Sequence, residues 1–301
     1  MKHGKLSHSH PITIVLLWLL VLTVTFIGFA CFTLLCKGLP YTALMRWTLV
    51  YQNVVIFILP ALIVAHWRSS QPAHWLGVST LPPAKVFLVA VLLIICSLPM
   101  NNLLGYINRL IKLPPSLHEL EALMQSMEQS SAQVLEVLLN TTDVGILLLN
   151  IFIIAILTGI GEEFTFRGVV QGLFTSDKSR LSNTTPHVAI WVTAFLFSAI
   201  HMQFYGFIPR MVMGVFFGYA MVWSGSIWVP IMMHSLNNAM VVVLTYIAHQ
   251  KHWDPAVLDH FGTGDTLWLG LCSVIVTIGA FYLLRRSTTM SSASSRTSIG
   301  S

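Results

Sequence analysis

The chain has 301 residues, of which 55% are hydrophobic and 9% charged, and its mean hydropathy is +0.76. Several apolar runs approach the ~20 residues with which a helix crosses a hydrocarbon core, and they are too long and continuous for barrel strands. The formal net charge of +5 comes from basic residues scattered over loops and ends, which is not the clustered pattern of nucleic-acid binding. We therefore predict an all-α, polytopic helical membrane protein with no nucleic-acid partner.

The apolar runs predict eight transmembrane helices in chain order. The first follows a short basic N-terminus and is too long for a signal-peptide core, so it is interpreted as a spanning helix. The last is followed, from Ser287, by a Ser- and Thr-rich segment for which we predict a disordered tail. The predicted spans are residues 12–35, 47–67, 85–106, 144–174, 187–202, 208–224, 227–248 and 266–284.

The stretch at residues 113–139 differs in kind from the spans. Pro114 and Pro115 indicate a helix start, and glutamates alternate with leucine, methionine and valine. The pattern is amphipathic, and its apolar part is too short to cross the membrane. We predict a helix that lies along the membrane surface or caps the bundle, with one face in solvent.

Eight spans place both ends of the chain on the same side of the membrane. The positive-inside rule favours cytoplasmic ends, because the ends and the loops on their side then hold the larger share of lysine and arginine. In a bacterium this would be the inner membrane. The cytoplasmic side would carry Lys2, Lys5, Arg68, Lys85, Lys178, Arg180, Arg285, Arg286 and Arg296, and the outer side Lys37, Arg46, Arg109, Lys112, Arg210 and Lys251.

Three charged residues interrupt the fourth predicted span: Glu162, Glu163 and Arg167. Each such group costs about 2.5–3.5 kcal/mol at the centre of a spanning helix, so a purely structural helix would not carry three. Glu163 and Arg167 are four residues apart, in the favourable order for an ion pair. Glu162 points to another side of the helix and is left free for chemistry.

Further polar residues follow at His201 in the fifth span and at His234 and Asn238 in the seventh. At 1.5 Å of rise per residue, Glu162 and His201 lie ~18 and ~21 Å from the ends of two antiparallel helices, which places them at similar depth. His234 and Asn238 share one helix face and can both donate hydrogen bonds. His234 lies only ~10 Å from the predicted start of its helix, so we predict that this start dips into the bundle.

The motifs Glu-Glu-x-x-x-Arg (162–167), Phe-x-x-x-His (197–201) and His-x-x-x-Asn (234–238) occur in this order on successive polar-marked spans. The set resembles the signature of the CPBP family of intramembrane proteases, which includes the type II CAAX prenyl endopeptidases and bacterial bacteriocin-processing or immunity proteins. The resemblance covers residues 149–244. On this basis the chain divides into N-terminal transmembrane helices plus the amphipathic helix (1–140), a CPBP-like catalytic core (141–248), and the last transmembrane helix with a disordered polar tail (249–301).

The resemblance implies an intramembrane endopeptidase that hydrolyses a peptide bond in a membrane-associated protein or peptide, in CAAX-type processing or in bacterial peptide maturation or immunity. Glu162 with His201 would activate a water molecule as general base. His234 and Asn238 would donate hydrogen bonds to the tetrahedral oxyanion. The supporting residues would be Glu163, Arg167 and Phe197.

Family members have also been described as metalloproteases, and Glu162, His201 and His234 are the residues that would ligate zinc. The chain has no His-Glu-x-x-His motif, and the donor pair of His234 and Asn238 suits an oxyanion, so we favour a glutamate-type enzyme without a cofactor. Two other classes stay open: a non-catalytic membrane binding or immunity protein, and a proton- or ion-coupled transporter. The intact set of polar residues argues against the first, and the lack of an internal repeat against the second.

Overall fold

The computed structural model describes residues 6, 9, 11–175 and 186–297, which form helices and connecting turns without a strand. Seven of the described helices are long and apolar enough to cross a membrane, and a further apolar helix is shorter. The prediction of an all-α, polytopic membrane protein with about eight transmembrane helices is confirmed. The main helices are α1 (Pro11–Leu35), α2 (Tyr41–Arg68), α3 (Ala84–Leu110), α4 (His118–Leu139), α5 (Val144–Thr175), α6 (Pro186–Ala199), α7 (Phe207–Ser224), α8 (Trp228–Gln250) and α9 (Leu267–Thr297).

The predicted amphipathic segment forms helix α4, which follows a single 3₁₀ turn at Pro115–Leu117. Its buried residues are Leu138 and Leu139, at the C-terminal end, and most of the helix is exposed. The helix packs against α2, α5 and α8. It therefore covers the bundle on the side where α3 and α8 end and α7 begins.

Three stretches of π-helix interrupt the two helices that meet at the centre of the bundle. They are Gln52–Ile58 in α2, and Ile151–Leu157 and Phe164–Gln171 in α5. Between the two stretches of α5 lies a short α-helical piece, Thr158–Glu163, which carries both glutamates. Such wider turns occur mostly at functional sites, and a hydropathy pattern does not reveal them.

Helix α7 approaches its neighbours closely because it carries two glycines one turn apart, Gly214 and Gly218. A side chain at Gly214 would lie 3.1 Å from Cβ of Ala194 on α6, and one at Gly218 would lie 2.8 Å from Ile190. Small residues at this spacing let membrane helices pack backbone to backbone. The carbonyl oxygens of these two glycines accept hydrogen bonds from Arg167 and Gln171 on α5. The packing motif therefore also supplies polar partners to residues of α5.

The start of α8 is buried inside the bundle, as its predicted dip requires. Ser226 and Ile227 have no exposed surface, and the chain between α2 and α3 covers them. Oγ of Ser226 donates to the carbonyl oxygen of Thr80 at 2.6 Å, and Nε1 of Trp228 donates to that of Val78 at 2.9 Å. This connection therefore holds the first turn of α8 inside the bundle.

The C-terminal segment differs from the predicted disordered tail, because α9 continues to Thr297. Ser287 and Thr288 are buried, and their hydroxyl groups donate to the carbonyl oxygens of Leu284 and Arg285 at 2.8 and 2.7 Å. Local hydrogen bonds of this kind satisfy the polar side chains within the helix. Residues 298–301 lie outside the described part of the chain.

Candidate active site

Glu163 and Arg167 form an ion pair that is removed from solvent. Nη1 of Arg167 lies 2.9 Å from Oε1 of Glu163, and neither side chain has exposed surface. The same carboxylate oxygen accepts a hydrogen bond from Nδ1 of His234 at 2.8 Å. The structure thus brings the two expected partners together and adds His234 to them, a contact between α5 and α8 that spacing within one helix does not predict.

Glu162 faces both histidines. Its Oε2 lies 3.9 Å from Nε2 of His201 and 3.8 Å from Nε2 of His234. This oxygen is buried and has no hydrogen-bond partner within the described part of the chain. At these separations the atoms make no direct hydrogen bond, and a polar species placed between them would satisfy the buried oxygen.

The hydrogen bonds of the two histidines define which ring nitrogen carries hydrogen. Nδ1 of His201 lies 2.7 Å from the carbonyl oxygen of Phe197, and Nδ1 of His234 lies 2.8 Å from the Glu163 carboxylate. Both partners only accept, so both Nδ1 atoms donate. In the neutral rings each Nε2 is then an acceptor. Three acceptors converge on one position, and a water molecule, which has two hydrogens, satisfies only two of them.

Aromatic rings fix the orientation of His234. Phe217 stacks on its imidazole with ring centroids 5.1 Å apart, and Phe197 meets it edge-on at 5.8 Å. The guanidinium carbon of Arg167 lies 4.6 Å from the Phe197 centroid and 5.3 Å from that of Phe217. The cation therefore gains two aromatic faces in addition to its carboxylate, and the rings restrict the imidazole to one orientation.

His201 lies in the turn that follows α6. The next residue, Met202, has a φ of +53°, an uncommon conformation for a residue with a side chain. The chain reverses here, and α7 begins shortly afterwards. Strained backbone of this kind is concentrated at functional sites, and here it positions the imidazole at the end of a short helix.

The predicted catalytic residues line a cavity of about 650 Å³. Glu162, His201, His234 and Asn238 line it together with Phe197, whereas Glu163 and Arg167 lie behind this surface. Nδ2 of Asn238 donates to the carbonyl oxygen of Ile154 at 3.2 Å, which leaves its second N–H for another acceptor. All four predicted catalytic residues therefore share one cavity.

The cavity also has polar lining residues that the sequence motifs do not include. Asn53 on α2 is buried, and its Nδ2 donates to Oγ1 of Thr158 at 3.0 Å. It packs so closely on Gly161 that a side chain there would lie 2.9 Å from Oδ1 of Asn53. A polar residue in an apolar run is a signal that could have identified it. The other such residues include Gln203, Arg210 and Asp259.

Zinc is the cofactor that the CPBP resemblance admits. Two imidazole nitrogens and an unpartnered carboxylate oxygen form a donor set that zinc binds in proteins, and partners on Nδ1 are what zinc-bound histidines have. Tetrahedral ligands at ~2.1 Å lie about 3.4 Å apart, so Glu162, His201 and His234 would have to draw together slightly. Within the described residues, no group of three or more His, Cys, Asp or Glu is already arranged for a metal ion.

The fold and this cavity define a class: a multi-pass helical membrane protein whose carboxylate and histidines meet at a polar site within the bundle. Residues 144–240 match the Rce1-like family, described as type II CAAX prenyl endopeptidase Rce1-like. This part of the chain is therefore similar to that family, and the predicted resemblance is confirmed.

A curated relative is the membrane-embedded CAAX protease MroQ of Staphylococcus aureus (strain USA300), which is 37% identical to this chain over 95 residues. The matched region is 31% of this chain and 38% of the relative, so the chain spans well under half of the protein to which it is similar. No solved structure matches the chain.

Proposed function

We propose that this protein is an intramembrane endopeptidase that hydrolyses a peptide bond in a membrane-associated protein or peptide. The observation that carries the proposal is the position of Glu162. Its buried, unpartnered Oε2 lies 3.9 and 3.8 Å from Nε2 of two histidines, inside a cavity large enough for a peptide segment. The Rce1-like match and the named relative support the same reaction class.

The proposed reaction starts with a water molecule between Glu162 and the histidines. Glu162 takes a proton from this water as it attacks the peptide carbonyl carbon, which gives a tetrahedral intermediate with a negatively charged oxygen. The C–N bond then breaks, and the proton moves from Glu162 to the leaving amine. The products are a carboxylic acid and an amine, and the carboxylate is regenerated.

The proposed role of His234 follows from its hydrogen bonds. A water molecule between three acceptors leaves one of them without a hydrogen, and we assign the donor role at this position to His234, whose ring is oriented from its other side by Glu163 at 2.8 Å. Nε2 then donates. Together with the free N–H of Asn238 it would stabilise the oxyanion, a contribution that amounts to about 10²–10³ in rate for one such donor.

A metal-dependent version of the same reaction uses the same residues. Glu162, His201 and His234 would hold zinc, which supplies Lewis-acid polarisation of the carbonyl and a more acidic water. In that version His234 would be one of the residues that hold the metal, and Asn238 would remain as the neutral donor. We favour the glutamate-type version, because Glu163 accepts from Nδ1 of His234 and so orients the ring for a donor role at Nε2.

The test is cleavage of internally quenched peptides by the purified full-length protein in liposomes. We expect Glu162→Gln to lower the rate at least ~10³-fold, since the variant has no base, whereas the exposed Glu119→Gln on α4 serves as the matched control. Wild-type rates in Glu162→Gln would refute Glu162 as the general base, whereas no cleavage of any peptide by the wild-type protein would leave the non-catalytic or transport alternatives. Loss of wild-type activity with a chelator and its return with zinc would establish the metal-dependent version.

We also propose that both termini are cytoplasmic and that the cavity opens on the opposite side. The cavity lies where α3 and α8 end and α7 begins, and the predicted inner segments carry nine of the Lys and Arg residues against six outside. Fusions of green fluorescent protein and of alkaline phosphatase to the C-terminus test the orientation. Fluorescence without phosphatase activity is expected, and the reverse result would place the cavity on the cytoplasmic side.

A further inference from the structure

Arg210 is a second cation near the proposed chemistry, and it has no counter-ion in contact. It lies half-buried in the first turn of α7 and lines the cavity that contains Glu162. Its Nη2 donates to Oε1 of Gln203 at 2.5 Å, and Nη1 to the Gln203 carbonyl oxygen at 3.4 Å. Within the described ranges, no carboxylate lies within 4.0 Å of its guanidinium group.

Arg167 shows how the same fold treats an arginine whose role is internal. That guanidinium has no exposed surface, pairs with Glu163 at 2.9 Å, and donates to the carbonyl oxygen of Gly214 at 3.0 Å. Arg210 belongs to the same helix as Gly214, but its partner is a neutral amide and its guanidinium remains open to the cavity. The two arginines therefore differ in one respect that matters for binding: the charge of Arg210 is still available.

Without a bound anion, the positive charge of Arg210 is unfavourable at this location. Helix α7 begins at Phe207, and the positive end of a helix dipole disfavours a cation in the first turn. Partial removal from water adds a further cost. Glu128 and Glu162 act on Arg210 only through longer-range attraction. An anion that enters the cavity would relieve both costs.

We propose that Arg210, held by Gln203, binds a carboxylate of the peptide substrate near the bond that is cleaved. This inference rests on the proposed peptidase function. A guanidinium fork matches a carboxylate through two parallel hydrogen bonds. A peptide offers this group at its C-terminus or on an Asp or Glu side chain. Because Arg210 and Glu162 line the same cavity and Gln203 follows His201 by two residues, the carboxylate lies within a few residues of the cleaved bond, at roughly 3.3–3.6 Å per extended residue.

The test measures peptide binding in the Glu162→Gln background, in full-length protein in nanodiscs. This background keeps the peptides intact and removes the charge of Glu162. An electrostatic effect of Arg210 on the Glu162 carboxylate therefore cannot contribute to the measured peptide affinity. The probes are fluorescent tetrapeptide pools of neutral residues, one with a free C-terminal carboxylate and one with a C-terminal amide. A third pool, amidated and with one Glu per peptide, separates a side-chain carboxylate from the C-terminus.

We expect a carboxylate-bearing pool to bind at least about tenfold more tightly than the neutral amide pool, a factor that corresponds to 1.4 kcal/mol. Arg210→Gln should abolish this preference. Arg210→Lys should keep part of it, since it retains the charge and loses the fork. Arg109→Gln, which removes an exposed cation at the end of α3, is the matched control and should keep the preference in full.

Two results would overturn the proposal: equal binding of all pools, including no binding to any, or an equal loss of preference in Arg109→Gln, which would indicate diffuse attraction. The cleavage assay separates this failure from failure of the proposed function. Cleavage by the Glu162-containing protein without a carboxylate preference rejects the Arg210 site alone. A preference that depends on Arg210, without any cleavage, keeps the site and rejects the peptidase.

Discussion

Replacing Glu163 with glutamine tests whether the two neighbouring glutamates have different tasks. Oε1 of Glu163 accepts from Arg167 at 2.9 Å and from His234 at 2.8 Å, and the side chain is fully buried. Glu163→Gln leaves the guanidinium of Arg167 as a buried charge without a counter-ion. Breaking such a pair from one side costs about 3–5 kcal/mol.

That loss should be visible in thermal unfolding. A chain of this size loses about 2–4 °C per kcal/mol by the scaling of soluble domains, so we expect the Tm of Glu163→Gln in detergent to fall by roughly 6–20 °C. Glu162→Gln is the matched control, because its Oε2 has no hydrogen-bond partner within the described chain. Its Tm should stay the same or rise, although cleavage is lost.

The double variant Glu163→Gln/Arg167→Gln separates stability from activity. It removes both charges, and replacing a whole buried pair is often neutral, so most of the lost Tm should return. Cleavage should remain low, because His234 still lacks the carboxylate that accepts from its Nδ1 and orients its ring. A Glu163→Gln variant as stable as wild type, or a double variant that regains full activity, would refute this division of roles.

Three further substitutions test other parts of the site. Asn238→Ala should lower kcat about 10²-fold with little change in KM if its free N–H contacts the oxyanion, and a raised KM with an unchanged kcat would point to substrate binding instead. Gly161→Ala should lower the free energy of unfolding by about 1–3 kcal/mol, because the added Cβ would lie 2.9 Å from Oδ1 of Asn53; an unchanged Tm would show that α2 can retreat. Ser226→Ala should cost about 0.5–1.5 kcal/mol, because it removes the hydrogen bond from the buried Ser226 hydroxyl group to the Thr80 carbonyl oxygen, with the exposed Ser126→Ala on α4 as the control.

Hydropathy predicted the helices well because a membrane leaves few solutions for the backbone. The runs that became α1, α3 and α8 needed no tertiary information. The π-helical stretches of α5 were not predictable in this way, since they depend on how Glu162 and Glu163 meet other helices. The extension of α9 beyond Ser287 was missed because the local composition favours disorder, whereas the hydroxyl groups bond within the helix.

For the site, the spacing of motifs placed Glu163 beside Arg167 and set Glu162 at the depth of His201. Such reasoning works along one helix or between two helices joined by a short loop. The contact of His234 with Glu163 and the approach of Asn53 to Gly161 connect residues far apart in the chain. No periodicity encodes these contacts, and the roles of the individual residues remain predictions for the experiments above.

Helix α6 has 14 residues and is therefore ~21 Å long, against a hydrocarbon core of about 30 Å. Local thinning of the bilayer is one way in which a membrane accommodates a helix that is shorter than its hydrocarbon core. That deformation would lie next to His201, so water reaches the site over a shorter distance than across an undisturbed leaflet. The proposed hydrolysis should consequently depend on acyl-chain length in liposomes and slow down in thick bilayers, which would make lipid composition a physical regulator of the activity.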